Sequence, residues 1–192
     1  MRENSFFAYI SRMKYIDRWA LMRNTDRENL EEHSYRVAVI AHALAVIGNT
    51  YFGRGYDQNM VAAAALFHDC SETVTGDMPT PVKYYNPEIR DAYKRVESVA
   101  TEKLLASLPP DLRPAYEPLF NVTVPEVWAL VKAADRLSAY IKCVEEAKAG
   151  NAEFDSAAES IMESIMHMKM PEAEYFVEHF LPLYRLTLDE LE

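Results

Sequence analysis

The stretch "EEHSYRVAVIAHALAVIGNTYF" runs from Glu31 to Phe52, and its apolar residues recur at helical spacing. His33, Val37, Ile40, Ala41 and Leu44 fall on one face, and Gly48 with Gly53 marks the fading end. This predicts a long amphipathic helix with a histidine set into its apolar stripe. A second run, "DQNMVAAAALFHD" (57–69), repeats the arrangement. Asp57 is a candidate N-cap, and Val61, Ala64, Ala65 and His68 share a face. Burying imidazoles and carboxylates costs free energy unless they are paired, hydrogen-bonded or bound to a metal. Two histidines on apolar faces therefore raise a chemical question as well as a structural one.

The helical period extends through most of the chain. "NPEIRDAYKRVESVATEKLLASLPP" (86–110) starts at an Asn-Pro signal and stops at Pro109 and Pro110. "VPEVWALVKAADRLSAYIKCVEEAKAG" (124–150) starts at a proline and ends at Gly150. Further helices are expected over Ser5 to Ile16, Ala152 to Met168 and Glu172 to Leu183, with Met13, Met162 and Met166 as core filler. Asp17 to Leu30 and Thr75 to Asn86 read as irregular, and loops on a helical scaffold are where binding groups tend to sit. No alternating strand pattern stands out, so the expected class is all-α. With 192 residues and 49% hydrophobic content, the chain suffices for one well-cored domain over residues 1–192.

A formal net charge of -10 argues against a nucleic-acid polymer or an anionic membrane as partner. The charge is uneven, however. Residues 1–27 hold six bases against three acids, net +3, which leaves -13 for the remainder and allows a local site for a small anion. Five glycines form neither a GxGxxG fingerprint nor a Walker A loop. Cys70 and Cys143 are too few and too isolated for a disulfide framework or a zinc ribbon, which fits a reducing compartment. The N-terminal residues lack an apolar signal core, and no stretch reaches the roughly 18 apolar residues that span a bilayer. The expectation is a soluble, cytoplasmic protein.

"LFHDCSETVTGDMPTP" (66–81) places His68 and Asp69 at a helix end, with Glu72 at i+4 and i+3 from them, so the three converge if the helical turn continues. Asp135 supplies another acid within a low-polarity helix, flanked on its own face by Trp128, Val131, Ser138 and Ala139. With His33, two imidazoles and two carboxylates become available from three helices. Such a set suits a borderline divalent cation, and helical bundles commonly build these sites from facing helices. Bland alternatives stand beside this one. His42 lies nine residues after His33, on the opposite side of the helix, and His167 and His179 read as ordinary hydrogen-bonded residues. Asp135 could pair with Arg136 or a lysine, Glu72 could be a helix-end acid, and Asp77 a turn residue after Gly76. Arg18 could be a solvated base, Trp19 could pack against Phe6, Phe7 or Leu21, and Cys70 could be a small buried filler.

The order His33, His68-Asp69, Asp135 resembles the H...HD...D signature of the HD-domain metal-dependent phosphohydrolases. More narrowly, "SRMKYIDRWALMRN", "EEHSYRVAVIAHALA", "HDCSETVTGDMPTPVKY", "KAADRLSAYIKCVEE" and "GNAEF" are similar to the bacterial 5'-deoxynucleotidases typified by YfbR. The resemblance covers essentially the whole chain. It implies a single HD-type helical bundle, one divalent metal (Co, Mn or another borderline ion) held by His33, His68, Asp69 and Asp135, and a water activated by that metal as nucleophile. It implies Glu72 as the catalytic proton-handling group and Arg18 as a catalytic and substrate-binding residue that orients the phosphate. Trp19 would crowd the sugar against a 2'-hydroxyl. Asp77, Met78, Pro79 and Thr80 would form a substrate loop, with His33, Asp69 and Asp135 also facing the substrate. The implied substrate is a deoxyribonucleoside 5'-monophosphate, and the implied assembly is a homodimer. Rival readings are an HD phosphohydrolase acting on a triphosphate or cyclic nucleotide, and a nucleotide-binding module that does not turn over. Glu72 argues against the latter, because pure binding needs no further acid beside the cation.

Overall fold

A computed structural model describes residues 2–83 and 85–192, and among them no strand forms, only an isolated bridge between Asp17 and Asn29. The all-α expectation therefore holds. The core is built on α2 (Leu30–Tyr51), α3 (Gln58–Phe67) and α8 (Pro125–Lys148), with α2 packed against both of the others. Each start is specified locally. Asn29 and Glu32 form a reciprocal capping box on α2, and the Asp57 side chain accepts the N–H groups of Asn59 and Met60 at the head of α3. Pro125 opens α8, where a missing N–H costs nothing.

Val37, Ile40, Ala41 and Leu44 of α2 meet Val61, Ala64 and Ala65 of α3 and Leu130, Val131, Ala134, Leu137 and Ile141 of α8, all buried. The alanines bring these helices close together, so polar side chains at the end of the shared seam reach one another across short distances. A smaller cluster joins Phe6, Met13, Leu30 and Cys70 to Leu104 and Leu105 of α6 (Pro87–Ala106). Cys70 is thus a buried filler against Met13, and His42 is exposed.

Several expected elements differ in detail. The helix expected over 5–16 splits at Ser11 and Arg12 into α1 (Phe6–Ile10) and a 3-10 turn at Met13–Tyr15, which ends where Ile16 turns extended and its carbonyl accepts from Leu30 N–H. The stretch expected from Ala152 begins as a 3-10 turn before α9 (Asp155–His167). The last expected helix ends early, as α10 (Pro171–His179), because Pro182 lacks the N–H needed to continue it; Leu181–Arg185 follows as a 3-10 helix. Two short helices, α4 (Glu72–Thr75) and α5 (Thr80–Lys83), reach into or lie within the stretch read as irregular. An unforeseen helix, α7 (Arg113–Phe120), carries Pro114 and Pro118. Gly48 does not end α2. It lies inside the helix, where an added Cβ would meet the Tyr56 ring at 2.6 Å.

Candidate active site

His33 sits at the first turn of α2 and is fully buried. Its Nδ1 shares a 3.2 Å hydrogen bond with the Ser138 hydroxyl of α8, while Nε2 lies 3.1 Å from Asp135 Oδ1 and 3.8 Å from Asp69 Oδ2. His68 follows α3 directly, and its Nδ1–H donates to the Ala65 carbonyl at 2.7 Å. A carbonyl only accepts, so this bond fixes the proton on Nδ1 and turns Nε2 toward Asp69, 3.0 Å away. Tight turns then continue the chain through Asp69 into α4, with Glu72 N–H donating to the Asp69 carbonyl at 2.9 Å. The continuation of the helical turn gathers His68, Asp69 and Glu72 as their spacing predicted.

Three of these residues, His33, His68 and Asp135, each offer a ligand atom within 4.8 Å of the others. Asp69 joins them through its contacts with both imidazoles. Among the described residues, buried His33 Nε2 and His68 Nε2 have no hydrogen-bond partner other than the carboxylates they face, Asp135 at 3.1 Å and Asp69 at 3.0 Å, and Glu72 Oε2 has none. Buried polar atoms are nearly always paired, so two imidazole nitrogens left open toward the same two carboxylates fit a cation between them. Asp135 faces His33 rather than Arg136, whose guanidinium contacts Met168 Sδ at 3.2 Å.

The electrostatics divide the acids. Burial pulls the His68 ring toward neutrality, but the Asp69 carboxylate beside it outweighs this and lifts His68 to about 9. Burial and the buried Arg18 charge hold His33 below its ordinary value. Burial opposes ionisation of Asp69 and Asp135 as well, yet the neighbouring imidazoles hold both below the usual carboxylate range. Glu72 goes the other way: burial, with Asp69 and Asp77 nearby, pushes it up to about 9. Carboxyl groups whose environments drive them apart can serve different roles in one site.

Beyond this cluster lies a cavity of about 620 Å³, joined to it by Arg18 and Asp135. Its walls include Arg18 and Trp19, the loop Asp77, Met78, Pro79 and Thr80, Lys132 and Arg136 of α8, and Ser160 and Ser164 of α9. That volume falls within the range of pockets that enclose a small ligand. Arg18 lies 3.7 Å from Asp69 Oδ2. Burial opposes its charge, but Asp135, Asp69, Asp77 and Glu28 more than compensate, so it remains a firm cation. Trp19 adopts a left-handed backbone, φ 58°, that tryptophan rarely takes, and its ring meets Phe154 edge-on at 5.3 Å rather than serving as filler against Phe6. The structure thus gathers His33, His68, Asp69 and Asp135 in one cluster and sets Arg18, Trp19 and residues 77–80 along the adjoining cavity, while Glu72 lies three residues beyond Asp69 at the start of α4.

Over residues 5–184 the chain matches the family model described as 5'-deoxynucleotidase YfbR-like. It is 47% identical to a 5'-deoxynucleotidase of Vibrio vulnificus, covering the whole of both chains, and 46% identical to YfbR of Salmonella newport, covering all of this chain and 97% of that one. The chain belongs to the YfbR-like family. Its fold is shared with an HD-domain phosphohydrolase from Listeria innocua (TM-score 0.81, 24% identity, 94% of this chain and 88% of that one). It is shared too with a cyanophage S-2L HD phosphohydrolase solved with dA and one catalytic Zn2+ ion (TM-score 0.67, 22% identity, 91% and 95% covered).

Two further contributors were not foreseen in the sequence. Ser138, noted only as a neighbour of Asp135 at i+3, is the hydrogen-bond partner of the buried His33. Glu28, in a stretch read simply as irregular, accepts from both Arg18 and Trp19. Nothing in local sequence distinguishes Glu28 from the other acids around it.

Proposed function

We propose that this member of the YfbR-like family is a metal-dependent 5'-deoxynucleotidase that converts a deoxyribonucleoside 5'-monophosphate and water to the deoxyribonucleoside and phosphate. The observation that carries the reading is the pair of open, buried imidazole nitrogens facing two carboxylates beside a cavity that holds a buried arginine. The relatives named 5'-deoxynucleotidase, similar over their full lengths, support the reaction class.

His33, His68, Asp69 and Asp135 would hold one divalent cation, cobalt, manganese or another borderline ion. When bound, such an ion supplies Lewis acidity toward the phosphoryl group and toward water. The protein's own residues then divide the work. Arg18 presents a planar donor fork to the phosphate oxygens and offsets their charge. Glu72, whose surroundings favour its protonated form, holds a proton next to the reacting group and exchanges it during attack or departure. Trp19 lies against the sugar and crowds a 2'-hydroxyl, a steric device that gives graded rather than absolute preference for deoxyribose. Asp77, Met78, Pro79 and Thr80 border the substrate, with His33, Asp69 and Asp135 on its reactive side.

The whole chain, 1–192, is taken as one HD domain that works as a cytoplasmic homodimer. Exposed apolar side chains in the C-terminal part, including Phe180, Leu183 and Leu188, support self-association. Two free, buried cysteines suit a reducing compartment, and no helix among the described residues is long and apolar enough to cross a membrane. The reading is tested by stripping metal, restoring Co(II) or Mn(II), and assaying dAMP, dGMP, dTMP and their ribose counterparts. Metal-dependent phosphate release with the deoxy compounds turned over faster is expected. Absence of release from all of them, or liberation of tripolyphosphate from a triphosphate instead, would overturn it.

A further inference from the structure

Glu28 is 5% exposed, yet it belongs neither to the metal cluster nor to the cavity lining. Its Oε2 accepts from Arg18 Nε at 3.3 Å and from the Trp19 indole N–H at 3.2 Å. Its Oε1 lies 3.5 Å from an Arg36 guanidinium nitrogen, which is itself 3.2 Å from Glu145. The main chain repeats the link, since Arg18 N–H donates to the Glu28 carbonyl at 2.9 Å. One carboxylate thus binds the two side chains that the proposed reaction assigns to phosphate and sugar.

The chemistry of each bond decides what is left for substrate. Arginine has five N–H donors, and Glu28 occupies the inner one at Nε, leaving the terminal groups without a hydrogen bond, one of them 3.7 Å from Asp69 Oδ2. Tryptophan has a single donor, and Glu28 satisfies it, so the indole offers the cavity only an apolar surface. Fixing both to one buried, doubly anchored acceptor removes their independent rotamer freedom.

We propose that Glu28 is a positioning residue, a carboxylate clamp that sets Arg18 and Trp19 in register and thereby links phosphate orientation to sugar selection. This rests on the assignment of Arg18 to phosphate and Trp19 to sugar made above. Loosening the clamp lets both side chains wander, and a displacement of about 1 Å at a positioning group costs up to about 100-fold in rate. The clamp predicts a paired signature: weaker turnover and weaker discrimination between dAMP and AMP, from one residue that touches neither compound.

The test uses the metal-loaded full chain with E28A and E28Q, alongside R18A and W19A. In E28A, kcat/KM for dAMP should fall about 10- to 100-fold with a narrowed dAMP-to-AMP ratio and unchanged metal content, whereas E28Q, which keeps the volume and one acceptor, falls less. A W128F background leaves Trp19 as the sole tryptophan. There, acrylamide quenching of its fluorescence should rise on adding E28A, a change read without activity. A purely structural role would lower the thermal midpoint and leave the dAMP-to-AMP ratio intact. If E28A does not fold, E28Q decides: a lower kcat/KM and a narrowed ratio support the clamp. If R18A and W19A impair turnover and selectivity while folded Glu28 variants match the parent, the clamp is wrong. Should R18A and W19A themselves have no effect, the underlying site assignment fails instead.

Discussion

Two polar clusters lie along one stripe of α8, and they differ in a way that separates a site from a strut. Asp135 and Ser138 serve the first; Lys142 and Glu146, the next positions at helical spacing, serve the second. In the second cluster the charged groups are fully occupied. The Lys142 ammonium donates to Glu146 and to the Asp26 carbonyl. Glu146 also accepts from Thr25 N–H at 2.9 Å, Asp26 N–H at 3.2 Å and Asn151 Nδ2 at 2.7 Å. In the first, the open nitrogens of His33 and His68 have no partner among the described residues other than the carboxylates they face, and the open oxygen of Glu72 has none. Buried charge alone therefore does not mark a functional site. Unused buried capacity alone does not mark it either, since Asn24 Oδ1 and Ser34 Oγ also lack partners; what marks it is such capacity on two imidazoles that converge on two carboxylates beside a cavity.

The closed cluster still serves the open one. Asn151 Nδ2 donates to the Arg23 carbonyl at 2.8 Å, so α8 and the turn after it grip residues 23–26. That grip holds the irregular segment between α1 and α2, which carries Arg18, Trp19 and Glu28. A loop with little secondary structure of its own is fixed by polar contacts to a rigid helix, and it tolerates the strained Trp19 backbone for that reason.

Substitutions on the two sides should give opposite phenotypes. The largest effect is expected for Glu72→Gln in the open cluster. Removing the proposed proton-handling group should lower kcat by about 10²- to 10⁴-fold, with metal content and thermal midpoint close to the parent's. Steady-state kinetics with metal analysis checks this, and normal turnover would erase the distinction on the catalytic side. A smaller effect is expected from Glu146→Gln in the closed cluster. It leaves the buried Lys142 charge without its anionic partner and lowers stability by about 3 kcal/mol in chemical denaturation.

Acidity sharpens the second case. Burial resists ionisation of Glu146, but Lys142, Asn151 and two backbone N–H groups hold its carboxyl down at about 2. A carboxyl lowered on folding contributes stability that is present above its ordinary value and lost as pH falls toward the folded one. The stability gap between parent and Glu146→Gln should therefore be full near neutrality and close between about pH 4.5 and 2. Denaturation curves across that window measure it, and a gap independent of pH would contradict the ionised contact network.

The long helices were legible because their determinants are local. Apolar residues at a 3.6 period, the Asp57 cap, the Asn86-Pro87 and Pro125 starts and the Gly150 stop all act within a few residues of where they sit. The eight-residue α7 was not, since it holds Pro118 in its interior and its packing comes from distant aromatics. His68, Asp69 and Glu72 converge through their own spacing. The arrival of His33 and Asp135 is tertiary, and it was foreseen through resemblance to a family rather than through periodicity. Glu28 and the Lys142–Glu146 pair had no such pointer, because their importance lies in partners reached only after folding.

The central claim is that the open nitrogens of His33 and His68, with Asp69 and Asp135, form a metal site, whereas the more deeply buried charges of Lys142 and Glu146 do not. Elemental analysis after equilibration with Mn(II) or Co(II) tests it directly, using the parent, His68→Ala, Asp135→Ala and Glu146→Gln. One ion per chain is expected in the parent and in folded Glu146→Gln, and loss of that ion in His68→Ala and Asp135→Ala. A parent that takes up no metal, or a full complement retained after His68 and Asp135 are each removed, would contradict the account.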